Sequence, residues 1–150
     1  MANAKNSGDL ISFEELDKNE RELIVAANSA RRYAYCPFSK FAVGAAVLWD
    51  DSEEIHIGSN IENSSYGNCI CAERTALAKG ISEGRRRVKA VAVAAEMVDR
   101  PDYVSPCGVC RQFIYEFGDD VKIYLSKPSD IHGQVLVTSI QCLLPLGFRF

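Results

Sequence analysis

Cys71-Ala72-Glu73-Arg74-Thr75-Ala76-Leu77-Ala78-Lys79 reads as a short helix with chemistry at its start. A thiol, a carboxylate and a guanidinium fall within four residues. Ala72, Ala76 and Leu77 recur at the spacing of a helix face packed on a sheet. A second stretch, Pro106-Cys107-Gly108-Val109-Cys110, opens another helix through Arg111, Phe113, Ile114 and Phe117, closed by Gly118. Residues 88–95 lie between the two, Val-Lys-Ala-Val-Ala-Val-Ala-Ala, the clearest buried strand of the chain. Helices interleaved with such strands give a layered α/β fold.

The cysteines Cys71, Cys107 and Cys110, of spacing C-x35-C-x2-C, can close three corners of a zinc tetrahedron and leave the fourth to water. Cys107 and Cys110 are three residues apart and face the same way on their helix. If both helix N-termini point at one spot, their positive ends favour the thiolate forms. Three thiolates outweigh the charge of Zn2+ and leave the site at about −1, which would blunt the metal as a Lewis acid. Arg74, on the face of Cys71, is expected to donate to a ligand sulfur and withdraw part of that charge. Glu73 is not a ligand and is free to move protons; Asp102 and Glu116 are not tied to a ligand in this way. The spacing leaves a second reading open, in which Cys69 closes a four-sulfur structural site and Glu73 is only a first-turn charge.

The rest of the chain supplies the scaffold. Residues 1–11 read as a flexible arm and residues 12–150 as a single domain. Ser12 and Glu15 spell a capping box, so a helix is expected to follow, with Leu16, Leu23, Ala26, Ala27, Ala30 and Ala34 inward and Pro37 stopping it near Tyr35. Residues 41–49 read as a strand buried on both faces, with a close backbone approach at Gly44. Residues 54–60 return as its hairpin partner, and residues 61–70 form a polar loop that delivers the chain to Cys71. The helix there is expected to end near Gly80. Strands at 121–125 and 134–138 and a last short helix around Ile140, Leu143 and Leu144 complete an α/β sandwich around a mixed sheet of about five strands.

Composition narrows the function. In 150 residues the hydrophobic fraction is 47%, the charged fraction 25% and the formal net charge −3, so a soluble domain without a basic footprint for phosphate backbones is expected. Arg85-Arg86-Arg87 and Lys89 read as a solvated helix end. The first twelve residues are polar with no apolar core after a basic start, and no run is long enough to cross a bilayer. A cytoplasmic, reducing compartment is expected, with the paired cysteines on a metal and Cys36 and Cys142 as small buried hydrophobes.

Cys71-Ala-Glu with Pro106-Cys-Gly-Val-Cys110 resembles the signature of zinc deaminases in its three-cysteine form. Tyr35-Cys-Pro-Phe-Ser-Lys-Phe-Ala-Val-Gly-Ala-Ala46, Asn60-Ile-Glu-Asn63, Cys71-Ala-Glu-Arg-Thr-Ala76, Ser105-Pro-Cys-Gly-Val-Cys-Arg-Gln112 and Leu143-Leu-Pro145 are similar to the small homotetrameric cytidine deaminases. The likeness covers residues 25–148. It implies a three-layer α/β/α sandwich and one zinc per subunit. It also implies hydrolysis of cytidine and 2′-deoxycytidine to the uridine products and ammonia, a step of pyrimidine salvage. Zinc-bound hydroxide would attack C4 while Glu73 shuttles protons. The resemblance places Asn60 and Glu62 on the ribose, Phe41 and backbone at Ala72 on the base, and Phe148 in a neighbouring subunit's site. Arg74 and Gln112 stand behind the ligands. Asn60 and Glu62, two apart after a strand, can point the same way. The expected partners are a nucleoside and further copies of the chain in a homotetramer with shared sites; neither membrane nor nucleic acid is expected. Another cytosine-bearing substrate, an antibiotic or an RNA, is the alternative. Two positions depart from the pattern: Cys69 is an extra thiol, and Phe38 replaces a tyrosine of some members.

Overall fold

The computed structural model describes residues 8–150. Two capping boxes stand in tandem near the start of that range. The Ser12 N–H donates to the Glu15 carboxylate at 3.1 Å, yet only a 3-10 turn, Phe13–Glu15, follows, because Leu16 is extended. Asp17 and Glu20 then cap one another, each bond 2.9 Å long, and open helix α1 (Lys18–Ala30). The helix expected directly after Ser12 therefore begins at Lys18.

Strand β2 (Gly44–Trp49) is buried along its whole length and turns into β3 (Ser52–Ser59). Residues 41–43, expected in the strand, stay outside it because their backbone bonds to the Asn60 side chain instead. Helix α2 (Ala72–Ser82), strand β4 (Val88–Ala94), helix α3 (Gly108–Glu116), strands β5 (Lys122–Ser126) and β6 (Gln134–Ser139) and the short helix α4 (Ile140–Leu143) follow. A sixth strand, β1 (Asp9–Ser12), pairs antiparallel with β6, Asp9 opposite Val137. It takes residues 9–11 out of the expected flexible arm; residues 1–7 lie outside the described residues.

The sheet runs β1-β6-β5-β4-β2-β3. Only β4 and β5 are parallel, and α3 lies in the crossover that a parallel pair needs. Side chains alternate across the sheet. Ala46, Leu48, Ala90, Ala92 and Tyr124 face Leu23, Ile24 and Ala27 of α1. Ala45, Val47, Trp49, Val91 and Val93 face Ala76 and Leu77 of α2, Ile114 of α3 and Ile140 of α4. This is the three-layer sandwich expected from the resemblance. Two glycines allow the layers to close. A Cβ at Gly44 would lie 2.0 Å from the Ala27 carbonyl oxygen of α1. A Cβ at Gly80 would lie 2.1 Å from the Trp49 ring, so Gly80 packs inside α2 rather than ending it. Among the described residues no helix is long and apolar enough to cross a membrane.

Candidate active site

Helices α2 and α3 begin on cysteines. Cys71 and Cys107 are the N-cap residues, both with extended backbones, so each thiol stands at the positive end of a helix. Cys110 follows within the first turn of α3 and is fully buried. The three sulfurs lie within 4.8 Å of one another, and Cys71 Sγ and Cys107 Sγ are 3.8 Å apart. Zinc–sulfur bonds of about 2.3 Å at tetrahedral angles would set sulfurs about 3.8 Å apart, so the donor set fits zinc. The Cys69 thiol is not part of the cluster, which has three protein corners. The closed four-sulfur reading thus lacks its fourth ligand.

The charges around the cluster are uneven. The hydrogen bond from Cys110 and the Arg74 guanidinium hold the Cys71 thiol down at about 5, against the effect of burial. Cys110, giving its proton to Cys71 in a buried place, is pushed far up. Arg74 reaches Cys71 Sγ at 4.0 Å, the long end for a sulfur acceptor, and the Cys69 carbonyl oxygen at 3.0 Å. Its Nε is buried with no hydrogen-bond partner.

Glu73, in the first turn of α2, is only 4% exposed. Burial, and then the Cys71 charge, push its carboxyl up to about 7, against the pull of its own backbone N–H. A carboxyl poised there can both accept and release a proton near neutrality.

A cavity of about 320 Å³ opens in front of these groups, within the range of small-molecule sites. Cys71, Cys107, Ala72 and Glu73 line one side of it, and Phe41, Asn60 and Glu62 another. Glu62 is 6% exposed, and its carboxylate accepts the Phe38 N–H at 2.9 Å, the Ser39 N–H at 3.2 Å and the Ser39 hydroxyl. Burial acts to raise its pKa, but these bonds and the Lys40 charge prevail and hold it below the usual carboxylate range. Asn60 accepts the Val43 N–H on Oδ1 and donates from Nδ2 to the Phe41 carbonyl, both at 2.8 Å.

Gln112 gives its amide to the Phe148 carbonyl oxygen at 3.0 Å. Arg111 donates to Pro106 O at 2.7 Å, Ser105 Oγ at 2.9 Å and Leu143 O at 2.9 Å and so fixes the strap before Cys107. Phe148 is 64% exposed and does not line its own chain's cavity. Ser39, which sequence reasoning passed over, touches Glu62; its place in the Tyr35–Ala46 stretch was the available signal. Cys142, expected buried, is exposed.

An α/β/α sandwich carrying an open three-thiol cluster beside a buried carboxylate defines a zinc-dependent hydrolytic enzyme. Residues 17–126 match the family described as cytidine and deoxycytidylate deaminase zinc-binding region. The cytidine deaminase of Halalkalibacterium halodurans is 49% identical over 84% of this chain and 91% of its own length. That of Sporosarcina psychrophila is 46% identical over 85% and 89%. The crystal structure of cytidine deaminase from Burkholderia pseudomallei superposes with a TM-score of 0.76 at 42% identity, covering 85% of this chain and 97% of that one. The chain belongs to the cytidine deaminase family.

Proposed function

We propose that this enzyme hydrolyses cytidine and 2′-deoxycytidine to uridine and 2′-deoxyuridine with release of ammonia. The observation that carries the reading is the buried Glu73 carboxyl beside the three clustered sulfurs. Cys71, Cys107 and Cys110 would hold a zinc ion, which when bound would supply an acidified water as the nucleophile for C4. Glu73 takes one proton of the attacking water and delivers it to ring N3, then takes the remaining proton from the new C4 hydroxyl and gives it to the departing amine as the tetrahedral carbon collapses to the carbonyl and ammonia leaves. Phe41 and the buried Ala72 hold the base against it. Arg74 tempers the thiolate charge, and Arg111 keeps Cys107 in place.

The hydrogen-bonding capacity left on Asn60 and Glu62 supports both nucleosides as substrates. A carboxylate has about four acceptor sites, and the Phe38 and Ser39 donors occupy most of those on Glu62. Asn60 keeps one donor and one acceptor position after its bonds to Phe41 and Val43. A single hydroxyl that donates to Glu62 and accepts from Asn60 takes up the remaining acceptor site of Glu62 and the free donor of Asn60. A site that reads one hydroxyl common to cytidine and 2′-deoxycytidine accepts both.

Assembly as a homotetramer with shared sites completes the reading. Ile61, Tyr66 and Ile70 lie on the segment that carries Asn60, Glu62 and Cys71, and Tyr35 and Phe38 on the loop bonded to it; all five are exposed, an apolar rim suited to a second copy. Phe148, free of its own cavity, is available to a neighbour's. The open thiol cluster suits a reducing, cytoplasmic setting.

The test follows loss of cytidine absorbance in the wild type and Glu73→Ala, with zinc measured in both. Turnover by the wild type, with zinc kept and turnover lost in the variant, supports the reading. Zinc in both without turnover in either overturns it. A fully active species of about 17 kDa at low concentration would sink the tetramer.

A further inference from the structure

The loop between Phe38 and Val43 is tied to the sugar side of the cavity almost wholly through side chains, and Ser39 sits where two ties meet. Its hydroxyl donates to Glu62 Oε1 and accepts the Phe41 N–H at 3.1 Å. A hydroxyl has one hydrogen and two lone pairs. A carboxylate can only accept, so the hydrogen goes to Glu62 and a lone pair is left for Phe41. The Ser39 N–H, together with the Phe38 N–H, converges on the same carboxylate. Lys40 then takes φ +57°, the left-handed region that side-chain-bearing residues seldom occupy. Its N–H closes on the Cys36 carbonyl at 3.0 Å. That turn carries the chain back so that the Phe41 N–H meets the Ser39 hydroxyl. Asn60 fastens the far end, holding the Phe41 carbonyl and the Val43 N–H. Neither Ser39 nor Glu62 belongs to the thiol cluster.

We infer that Ser39 is a positioning residue whose hydroxyl joins the sugar-reading carboxylate of Glu62 and the base-packing Phe41 into one unit, so that the sugar hydroxyl and the pyrimidine are bound together rather than independently. This rests on the proposed contact of Glu62 with the sugar. Without the hydroxyl, Glu62 loses a charge-assisted partner and can turn from the cavity, while Phe41 loses the anchor of its backbone. The left-handed turn at Lys40 then has less to hold it. The metal and Glu73, on helix α2 and its neighbour α3, are untouched. The consequence is a defect of substrate binding, with the chemical step preserved.

The experiment measures kcat and KM for cytidine in the wild type, Ser39→Ala, Ser39→Thr, Glu62→Gln and the double variant Ser39→Ala/Glu62→Gln, with zinc content and melting checked in each. The expected result is a KM raised about tenfold in Ser39→Ala with kcat within about threefold, the size of one lost bond to a charged group. Ser39→Thr, which keeps the hydroxyl, recovers most of the loss. The double variant is no worse than Glu62→Gln alone, because both substitutions break one unit. If Glu62→Gln raises KM while Ser39→Ala leaves it unchanged, or if the two effects multiply, the inference is overturned and the Glu62 reading stands. If Glu62→Gln itself leaves KM unchanged, the sugar contact falls and the role of Ser39 falls with it. A loss of kcat in Ser39→Ala that Ser39→Thr does not restore also counts against a positioning role.

Discussion

Glu73 and Glu62 face one cavity, are 4% and 6% exposed, and are pushed in opposite directions. Glu73 rises to about 7 because burial and a neighbouring thiolate outweigh its few donors. Burial acts to raise Glu62 too, but the Phe38 and Ser39 donors, with Lys40, outweigh it. Burial and the donors offered to a carboxylate together decide what it does. One wall, built on helix N-termini, keeps a carboxyl that can exchange a proton. The other, built on a loop, keeps its carboxylate below the usual carboxylate range, an anion that can accept a hydroxyl. Two carboxylates whose surroundings drive them apart mark a division between chemistry and recognition.

The largest effect that tests this division comes from the metal wall. Cys110 is fully buried and is one of three clustered sulfurs. Cys110→Ser is expected to lose both bound zinc and turnover, read by metal analysis beside the cytidine assay; near-normal zinc would mean that Cys110 is no ligand. Next is the exchange of each carboxylate for its amide. Glu73→Gln keeps shape and zinc but cannot carry a proton, and kcat is expected to fall about 10²- to 10⁴-fold. Glu62→Gln is expected to act mainly on KM. If Glu62→Gln depressed kcat as far as Glu73→Gln does, the two walls would not be separate.

A smaller effect reads the direction of the Glu62 shift. Its folded pKa is below its unfolded one, so it contributes stability above the ordinary carboxylate pKa of about 4.3 and loses that contribution as pH falls through the lower folded value. The wild type and Glu62→Gln should accordingly differ in melting temperature near neutrality and converge in acid. Melting curves between about pH 3 and pH 7 check this, with the difference growing as pH rises. A difference that grew toward acid would reverse the sign and remove the donors from the explanation.

The two walls were unequally legible in the sequence. Cys71 and Arg74 are three residues apart at the start of one helix, and Cys107 and Cys110 share a turn of another, so helical phase brings each pair together, and Glu73 is tied to Cys71 by chain proximity. The partner of Glu62 is 23 residues away in a loop without periodicity, and only its place in the Tyr35–Ala46 stretch points to Ser39. For the same reason β1 was missed: four residues, half of them exposed, pair with β6 across nearly the whole chain. The bonds of Arg111 to Pro106, Ser105 and Leu143 were not legible either, because none of those partners is at helical spacing from it. Tandem capping boxes misled the start of α1, since a capping box caps whatever turn follows it, a 3-10 turn included.

The smallest expected effect concerns the residue on the border between the walls. Cys69 is two residues before a ligand and lines the cavity, yet its contribution to the metal side is its carbonyl, which accepts Arg74 at 3.0 Å. A carbonyl does not depend on the side chain that follows it. Cys69→Ser should therefore keep one zinc per subunit and change kcat by less than about twofold, while Cys110→Ser loses both. Metal stoichiometry of the two variants side by side is the measurement. If Cys69→Ser loses zinc as Cys110→Ser does, the site is closed by four sulfurs and has no corner for water. The high pKa of Glu73 would then mark only a buried first-turn carboxyl. If zinc stays, the thiol belongs to the loop, and the fourth corner faces the cavity where Glu73 waits.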